Sequence, residues 1–368
     1  MAVPIKLRQV DRTDPTPKYL QAQRILAEAI SAGALPAGCK LPSTKDIGQL
    51  VNVSLITAHK ALEALAEAGL LRREAGRGTF VRDDVHESMA QARQVVIGLA
   101  LDARANLNDY YHSSILNGLR QAARSDKEQI EFYFQDHLRP PRRRAGGGVI
   151  CIHPPVEAKK QVARLAERVP TILLGGSFAD VQVGCVDCDN RKGAGDAVRY
   201  LHELGHRRFL LLSGPTSLSN SRDRVDGAVE ALGALGIPSN DYATLVSTDS
   251  VIIDEESQSI LHHRLRADQR PTAIVAGGYF LALAAMHAVR QVGLTIPDDV
   301  SVVGFDDPEA APLLNPPLTT VRQPLLEMAD TAFRMLREQI AGGAAEFATI
   351  TLPTQLIVRE TAGPAADV

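Results

Sequence analysis

The chain has no tryptophan, only four cysteines, and aromatic residues at 4% of its 368 positions. Cys39, Cys151, Cys185 and Cys188 are too few for a disulfide framework over this length, which suits a reducing compartment. No hydrophobic run is long enough to span a bilayer, and no membrane partner is expected. The opening MAVPIKLRQVDRTDP has no apolar signal core, so a cytoplasmic location is expected. Low-complexity segments and clear short-period repeats are missing as well. Neither sign of charge dominates: 40 Lys+Arg stand against 43 Asp+Glu, a net of −3, so the chain as a whole does not look like a nucleic-acid binder. What is present, 45% hydrophobic and 23% charged residues, is the make-up of ordinary soluble globular protein.

The small net charge hides an asymmetry. Residues 1–82 hold 12 Lys+Arg against 7 Asp+Glu, a net of +5, and the remainder holds 28 against 36, a net of −8. A basic front on an acidic back is expected when only one domain meets phosphates. The length predicts two or three domains. The pattern divides the chain into a front domain at 1–82, a polar linker at 83–94, a rear domain at 95–360 and a short tail at 361–368.

In the front domain, Pro17 opens an amphipathic helix in which Tyr19, Ile25, Leu26 and Ile30 share a face, and Gly33 ends it. Ser43-Thr44-Lys45-Asp46 is a capping-box pattern, so a second helix starts there, with Ile47, Leu50 and Val51 as its apolar face. Asn52 breaks that helix and Ser54 caps a third, whose buried stripe is Ala58, Ala61, Leu62 and Leu65. The turn between these helices is so short that they must cross steeply. In such a helix-turn-helix the second helix enters the major groove of DNA, and its first residues meet base edges. Here those residues are Ser54, Leu55, Ile56, Thr57, His59 and Lys60. LLRREAGRGTFV follows, two short strands around a tight turn at Gly76 and Gly78. Arg72, Arg73 and Arg77 make its tip basic, suited to a phosphate or the minor groove. The bland alternative, a small helical domain with solvated charges, explains any one of these features but not their order.

Strand-like runs and amphipathic helices alternate from residue 95 onward: VVIGLAL, IEFYFQ, GVICIH, TILLGG, VGCVD, FLLLSG, ATLVST, AIVAGG and SVVGFDD, with helices between most of them. This alternation predicts an α/β fold with parallel sheets and helices on both faces. Ligands of such sheets bind beyond the carboxyl ends of the strands. HLRPPRRRAGG (137–147) reads as a solvated basic loop, with anion binding as the alternative.

Three motifs mislead. His202-Glu203-Leu204-Gly205-His206 fits H-E-x-x-H, but zinc chemistry needs both histidines on one helix, and Gly205 reads as a C-cap that puts His206 beyond it. Cys185-x-x-Cys188 has no second pair, and on a strand its two side chains point to opposite faces. Asp306-Asp307 are adjacent, so one is expected to face a cleft and the other to be structural or solvated. No catalytic constellation, cofactor or metal site is expected.

Residues 17–81 resemble the winged-helix domain of the GntR family of bacterial regulators, through P-x-Y-x-Q at Pro17–Gln21, GALPAGCKLPS, VS and GRGTFV. The resemblance implies operator contacts at Lys45, Ser54, Thr57, His59 and Gly76, beside the Lys60 and Arg77 already singled out. Leu55 and His59 stand where arginine is commoner. Residues 95–360 resemble the LacI/GalR effector core, a two-lobed fold like periplasmic sugar-binding proteins. The matches are IPDDVSVVGFDD, PPLTTVRQP, LHELGHRRFLLLSGP and SRDRVDG. A GntR-type front on a LacI-type back is similar to the arabinose repressor group, and so is the loop DYYHSSILNGL. The resemblance implies that Arg222 and Asp306 are the main polar ligand contacts, with Tyr110 and Tyr111 stacking on a sugar. A homodimer governed by a sugar-like effector is expected; its two-fold symmetry predicts a pseudo-palindromic operator, and helices flanking the first lobe, including 113–124, are candidates for the dimer surface. The alternative is a solute-binding protein or sugar-acting enzyme with an accessory front domain.

Overall fold

The structure is a computed structural model that describes residues 7–11, 17–67, 69–74, 76–83, 85, 95–101, 109–123, 128–134, 147–178, 180–341 and 347–366. Most of the expected linker at 83–94 and all but Gly147 of the arginine-rich segment at 137–147 lie outside the described residues. The chain forms two compact units, the first ending near residue 96.

In the first unit, α1 (Lys18–Ser31), α2 (Thr44–Val51) and α3 (Leu55–Glu67) pack around Leu26, Ile30, Ile47, Ala58, Leu62 and Leu65. The capping box forms: Ser43 Oγ accepts from Asp46 N at 3.2 Å, and Ser43 N donates to Asp46 Oδ2 at 3.3 Å. Asn52 takes the left-handed conformation that reverses the chain within three residues (φ 61°). Strands β1 (Leu71–Glu74) and β2 (Gly78–Val81) pair antiparallel, and Lys40 bridges to Phe80 as a short third partner. This is a helix-turn-helix followed by a wing.

The second unit has two six-stranded sheets. Lobe one orders its strands β13-β7-β6-β5-β3-β4, where β3 is Val95–Leu101, β4 Glu128–Phe134, β5 Gly147–Ile152, β6 Thr171–Leu174, β7 Gly184–Cys188 and β13 Thr349–Leu352. Lobe two orders β14-β12-β11-β10-β8-β9, where β8 is Phe209–Ser213, β9 Tyr242–Val246, β10 Ala273–Ala276, β11 Ser301–Phe305, β12 Thr319–Arg322 and β14 Gln355–Ile357. Parallel pairing dominates, and β14 joins β12 antiparallel. β8, β10 and β11 are buried along their whole length, as apolar strands covered on both faces must be.

Helices α4 (Tyr110–Ala122), α5 (Lys159–Ala166) and α10 (Leu325–Ile340) clothe lobe one, and α6 (Asn190–Glu203), α7 (Ser219–Ala234), α8 (Glu255–Arg266) and α9 (Tyr279–Gln291) clothe lobe two. The chain passes between lobes after β7, after β12 and after β13, so three short segments join two rigid layers. Residues 361–366, expected as a tail, run along lobe two instead: Thr361 Oγ1 donates to Val302 O at 2.7 Å, and Ala365 N donates to Leu204 O at 2.8 Å. Among the described residues no helix is long and apolar enough to cross a membrane.

Candidate functional site

In the second unit the strand ends converge on one cleft. After β3, Asp109 caps α4 by accepting from His112 N at 2.7 Å, and its other carboxylate oxygen meets His112 Nδ1 at 2.8 Å. This double contact sets Tyr110 and Tyr111 at the start of the helix. His153 follows β5, and its ring lies 5.4 Å from that of Tyr111. Gly175 follows β6 in the left-handed conformation (φ 75°), and a Cβ there would stand 1.7 Å from the Tyr111 hydroxyl. Only glycine leaves that hydroxyl its place. From lobe two come Asn220 and Arg224 on α7, Gly277 after β10, Asp306 after β11 and Gln323 after β12.

Arg224 is buried and fully directed. Its Nε donates to Asn190 Oδ1 at 2.8 Å, an Nη to Gly277 O at 2.6 Å, and its guanidinium lies 3.8 Å from the centre of the Phe305 ring. Asp306 accepts from Gln323 Nε2 and holds φ 73°, unusual for a residue with a side chain. His153 holds φ 49°. Among the described residues the three non-glycine positive-φ positions are these two and Asn52 of the helix-turn-helix. Left-handed residues cost of order 1 kcal/mol or more and persist where the surroundings impose them, often at ligand clamps.

Electrostatics mark the same cluster. Burial raises the Asp306 carboxyl above its ordinary range against the pull of Arg224, and burial pushes Asp187, at the end of β7, up to about 6. The hydrogen bonds to Asp187 fall on one oxygen, Oδ1, which accepts from Cys188 N at 2.7 Å and Asn190 Nδ2 at 3.2 Å. Burial lowers His153 to about 4 and lifts the Tyr111 phenol well above its usual value. Tyr110 is raised by burial and then by the charges of Asp306 and Asp307 of lobe two. Tyr111 Oη and His153 Nε2 are buried without a hydrogen-bond partner. Such orphans cost roughly 1–3 kcal/mol each, and a bound polar ligand would satisfy them. The cleft can therefore accept hydroxyl protons at Asp187 and Asp306, donate from Arg224 and Tyr111, and offer aromatic faces.

The structure brings Tyr110, Tyr111 and Asp306 together but leaves Arg222 out. Arg222 is exposed and lines a separate cavity of about 170 Å³ at the rim, with Val156, Lys159, Ser177, Phe178 and Ser217. Two residues along a helix turn a side chain by about 200°, so only one arginine of SRDRVDG can face inward. Gly227 marks the inward face: a Cβ there would strike the Arg191 backbone at 2.2 Å, so α7 lies tight on α6. Arg224, three residues earlier, shares that face. Sequence reasoning missed Arg224, Asp187, His153 and Asn220. The glycine spacing carried the signal for the first, and the strand-end positions of Asp187 and His153 carried it for those two.

The misleading motifs resolve structurally. His206 lies beyond α6, buried, with Nδ1 3.0 Å from Thr272 Oγ1 and Nε2 2.9 Å from Ser301 Oγ. Cys185 and Cys188 are buried on β7, with their thiols directed to Gly176 O and Gln323 Oε1. Asp307 is ion-paired to Arg322 at 2.6 Å and Arg359 at 2.8 Å, while Asp306 faces the cleft.

On the first unit, Lys45, Ser54, His59, Lys60, Gly76 and Arg77 are exposed, and Thr57 is half-buried. Ser54 caps α3 by accepting from Thr57 N at 3.2 Å, and the two hydroxyls meet at 2.8 Å. His59 lies 4.0 Å from Glu63, and Lys60 Nζ sits 4.0 Å from the Tyr19 ring centre. Gly76 is left-handed at the wing tip (φ 72°), and Arg77 reaches Glu74 at 2.8 Å.

Comparison with known proteins matches residues 18–81 to "Bacterial regulatory proteins, gntR family" and residues 198–362 to "Periplasmic binding protein-like domain". The arabinose metabolism transcriptional repressor of Geobacillus stearothermophilus is 26% identical over 94% of this chain and 97% of its own length. An HTH-type transcriptional regulator in the aml 5′ region of Streptomyces limosus is 37% identical over 54% of this chain, which spans 57% of that relative's length. The repressor CytR of Escherichia coli is 31% identical over 52% of this chain and 55% of its own. Among solved structures, the lac repressor dimer bound to operator and an anti-inducer superposes with TM-score 0.64 at 23% identity, over 77% of this chain and 99% of that one. A LacI-family regulator from Enterococcus faecium with bound ribose superposes with TM-score 0.62 at 22% identity, over 73% of this chain and 99% of its own. These two likenesses establish the fold of the second unit.

Proposed function

For a chain that joins a GntR-type helix-turn-helix domain to a LacI-like, periplasmic-binding-protein-like domain, we propose the role of a ligand-responsive transcriptional repressor. The carrying observation is the cleft of the second unit, where Arg224, Asp187 and Asp306 converge on the unpartnered Tyr111 hydroxyl and His153 Nε2. A small polyol such as a sugar supplies what that set lacks: hydroxyls for two carboxylates and an arginine, and an apolar ring face for Tyr110 and Tyr111.

The mechanism follows from linkage. Ligand bridges the two lobes and favours the closed arrangement, and the three crossing segments accommodate the change. In a homodimer this re-spaces two DNA-reading units on a pseudo-palindromic operator. Lys45, Lys60 and Arg77 supply phosphate contacts, and the first turn of α3 with His59 faces the bases. Ligand and DNA must then change each other's affinity by the same factor. A thermal-shift screen of pentoses, hexoses, sugar phosphates and nucleosides identifies the effector, because a ligand that binds the native state raises its apparent stability. Unaltered melting across the panel contradicts the sugar reading.

A further inference from the structure

The start of α3 carries an apolar step in the wrong place for a soluble domain. Leu55 is 57% exposed and Ile56 80% exposed, side by side, while Ala58, Ala61, Leu62 and Leu65 on the other face complete the core of this unit. The step is therefore not a misplaced part of the core. The polar groups flanking it are turned to one another: Ser54 Oγ and Thr57 Oγ1 meet at 2.8 Å, and Ser54 also accepts from Thr57 N. Two lysines flank it: Lys45 on α2 is exposed, as is Lys60 a little over one turn along α3, on a domain whose net charge is +5.

An apolar tip inside a basic rim fits one surface well, the major groove of duplex DNA. Phosphates line that groove, and its floor offers a single apolar group, the C5-methyl of thymine. Guanine presents acceptors that suit arginine or lysine, and adenine presents a donor–acceptor pair that suits asparagine or glutamine. Positions 55 and 56 carry none of these. We infer that Leu55 and Ile56 are specificity determinants that read thymine methyl groups. Each operator half-site then carries thymine at the step beneath the start of α3. The inference rests on the DNA-binding reading and adds the chemistry of the base it selects. It also accounts for Leu55, an apolar side chain at a position where arginine is commoner: a guanine contact is exchanged for a methyl contact.

The test uses the full chain. Wild type, Leu55→Ala and Ile56→Ala are each used to enrich binders from a random duplex pool. The duplex enriched by wild type is then resynthesised with deoxyuridine replacing thymine one position at a time, which removes only the methyl. Affinity is read by fluorescence anisotropy at one fixed salt concentration, since affinities at different salt do not compare. The expected result is a half-site thymine whose methyl is worth about fourfold in affinity to wild type, the equivalent of one buried CH₂. That penalty should vanish in Ile56→Ala or Leu55→Ala. Both positions are exposed, so unchanged melting of the variants confirms that they fold. Equal wild-type binding to thymine and deoxyuridine duplexes overturns the inference alone, as does a penalty that persists in both variants. A change of oligomeric state in Ile56→Ala with unchanged DNA affinity overturns it too, by making the step a protein contact. Failure of wild type to enrich any sequence overturns the DNA-binding reading together with it.

Discussion

The guanidinium of Arg224 lies 3.8 Å from the centre of the Phe305 ring, and Phe305 immediately precedes Asp306. One stacking contact thus ties the buried arginine of α7 to the strand end that delivers the cleft carboxylate. Planar stacking and two directed N–H bonds are properties of arginine that lysine does not reproduce. Arg224→Lys and Arg224→Ala are both expected to lose the ligand-induced rise in melting temperature while keeping operator binding without ligand. Arg222→Ala should keep both. A normal ligand response in Arg224→Lys would remove the arginine from the site.

Proton linkage gives a second expectation. Burial holds His153 at about 4 when folded, so the unfolded chain takes up its proton first as pH falls from about 6.5, and stability declines through that window. Asp187 opposes this: its folded value of about 6 lies above that of the unfolded chain, so the cost of burying its charge is relieved as pH falls through 6. Each effect is at most about 3–3.5 kcal/mol, since a tenfold change in proton affinity corresponds to roughly 1.4 kcal/mol. His153→Asn, which tolerates the left-handed backbone, should gain stability relative to wild type on going from about pH 7.5 to about pH 5. Asp187→Asn should lose stability relative to wild type over the same step. Urea midpoints at the two pH values decide it, and parallel shifts in all three proteins would contradict the assignment.

Helix packing gives a third. A methyl at Gly227 would stand 2.2 Å from Arg191 O and 2.5 Å from its Cα, which is backbone and cannot swing aside. Gly227→Ala should therefore destabilise the second unit by about 1–3 kcal/mol, the usual range for overpacking. Calorimetry that resolves the two units should show the loss in the second alone. An unchanged transition would mean that α6 and α7 separate at little cost.

Salt dependence gives a fourth. Lys45 is exposed at the first turn of α2, and if it meets a phosphate, Lys45→Ala should weaken binding by a similar factor on every sequence. The slope of log affinity against log salt should fall by about one. The same slope as wild type would take Lys45 off the contact surface.

Much of this architecture is legible in the residues. The capping box at Ser43 and the helix break at Asn52 are local devices, encoded within a few residues, and both form, Asn52 by taking the left-handed conformation. Continuous apolar runs such as FLLLS and SVVGF announce strands covered on both faces. The cleft was less legible, because its groups come from eight separate segments and no local pattern says which meet. Arg222 and Arg224 differ by two positions, and a helical wheel separates them only once the buried face is known. Gly227 fixes that face, through a contact with Arg191 that lies far away in sequence. His153 and Asp187 carry no motif at all. Their roles arise from burial beside Tyr111, a property of the assembled lobes.

The central claim is that one molecule couples the cleft to DNA. Its most direct test is an anisotropy titration of the full chain on duplex DNA from upstream of its own operon, with and without the sugar found in the thermal-shift screen. The expected result is salt-sensitive, sequence-dependent binding whose affinity the sugar changes by at least about fivefold, with that change lost in Arg224→Ala. Equal affinity with and without a sugar that demonstrably binds the cleft would contradict it.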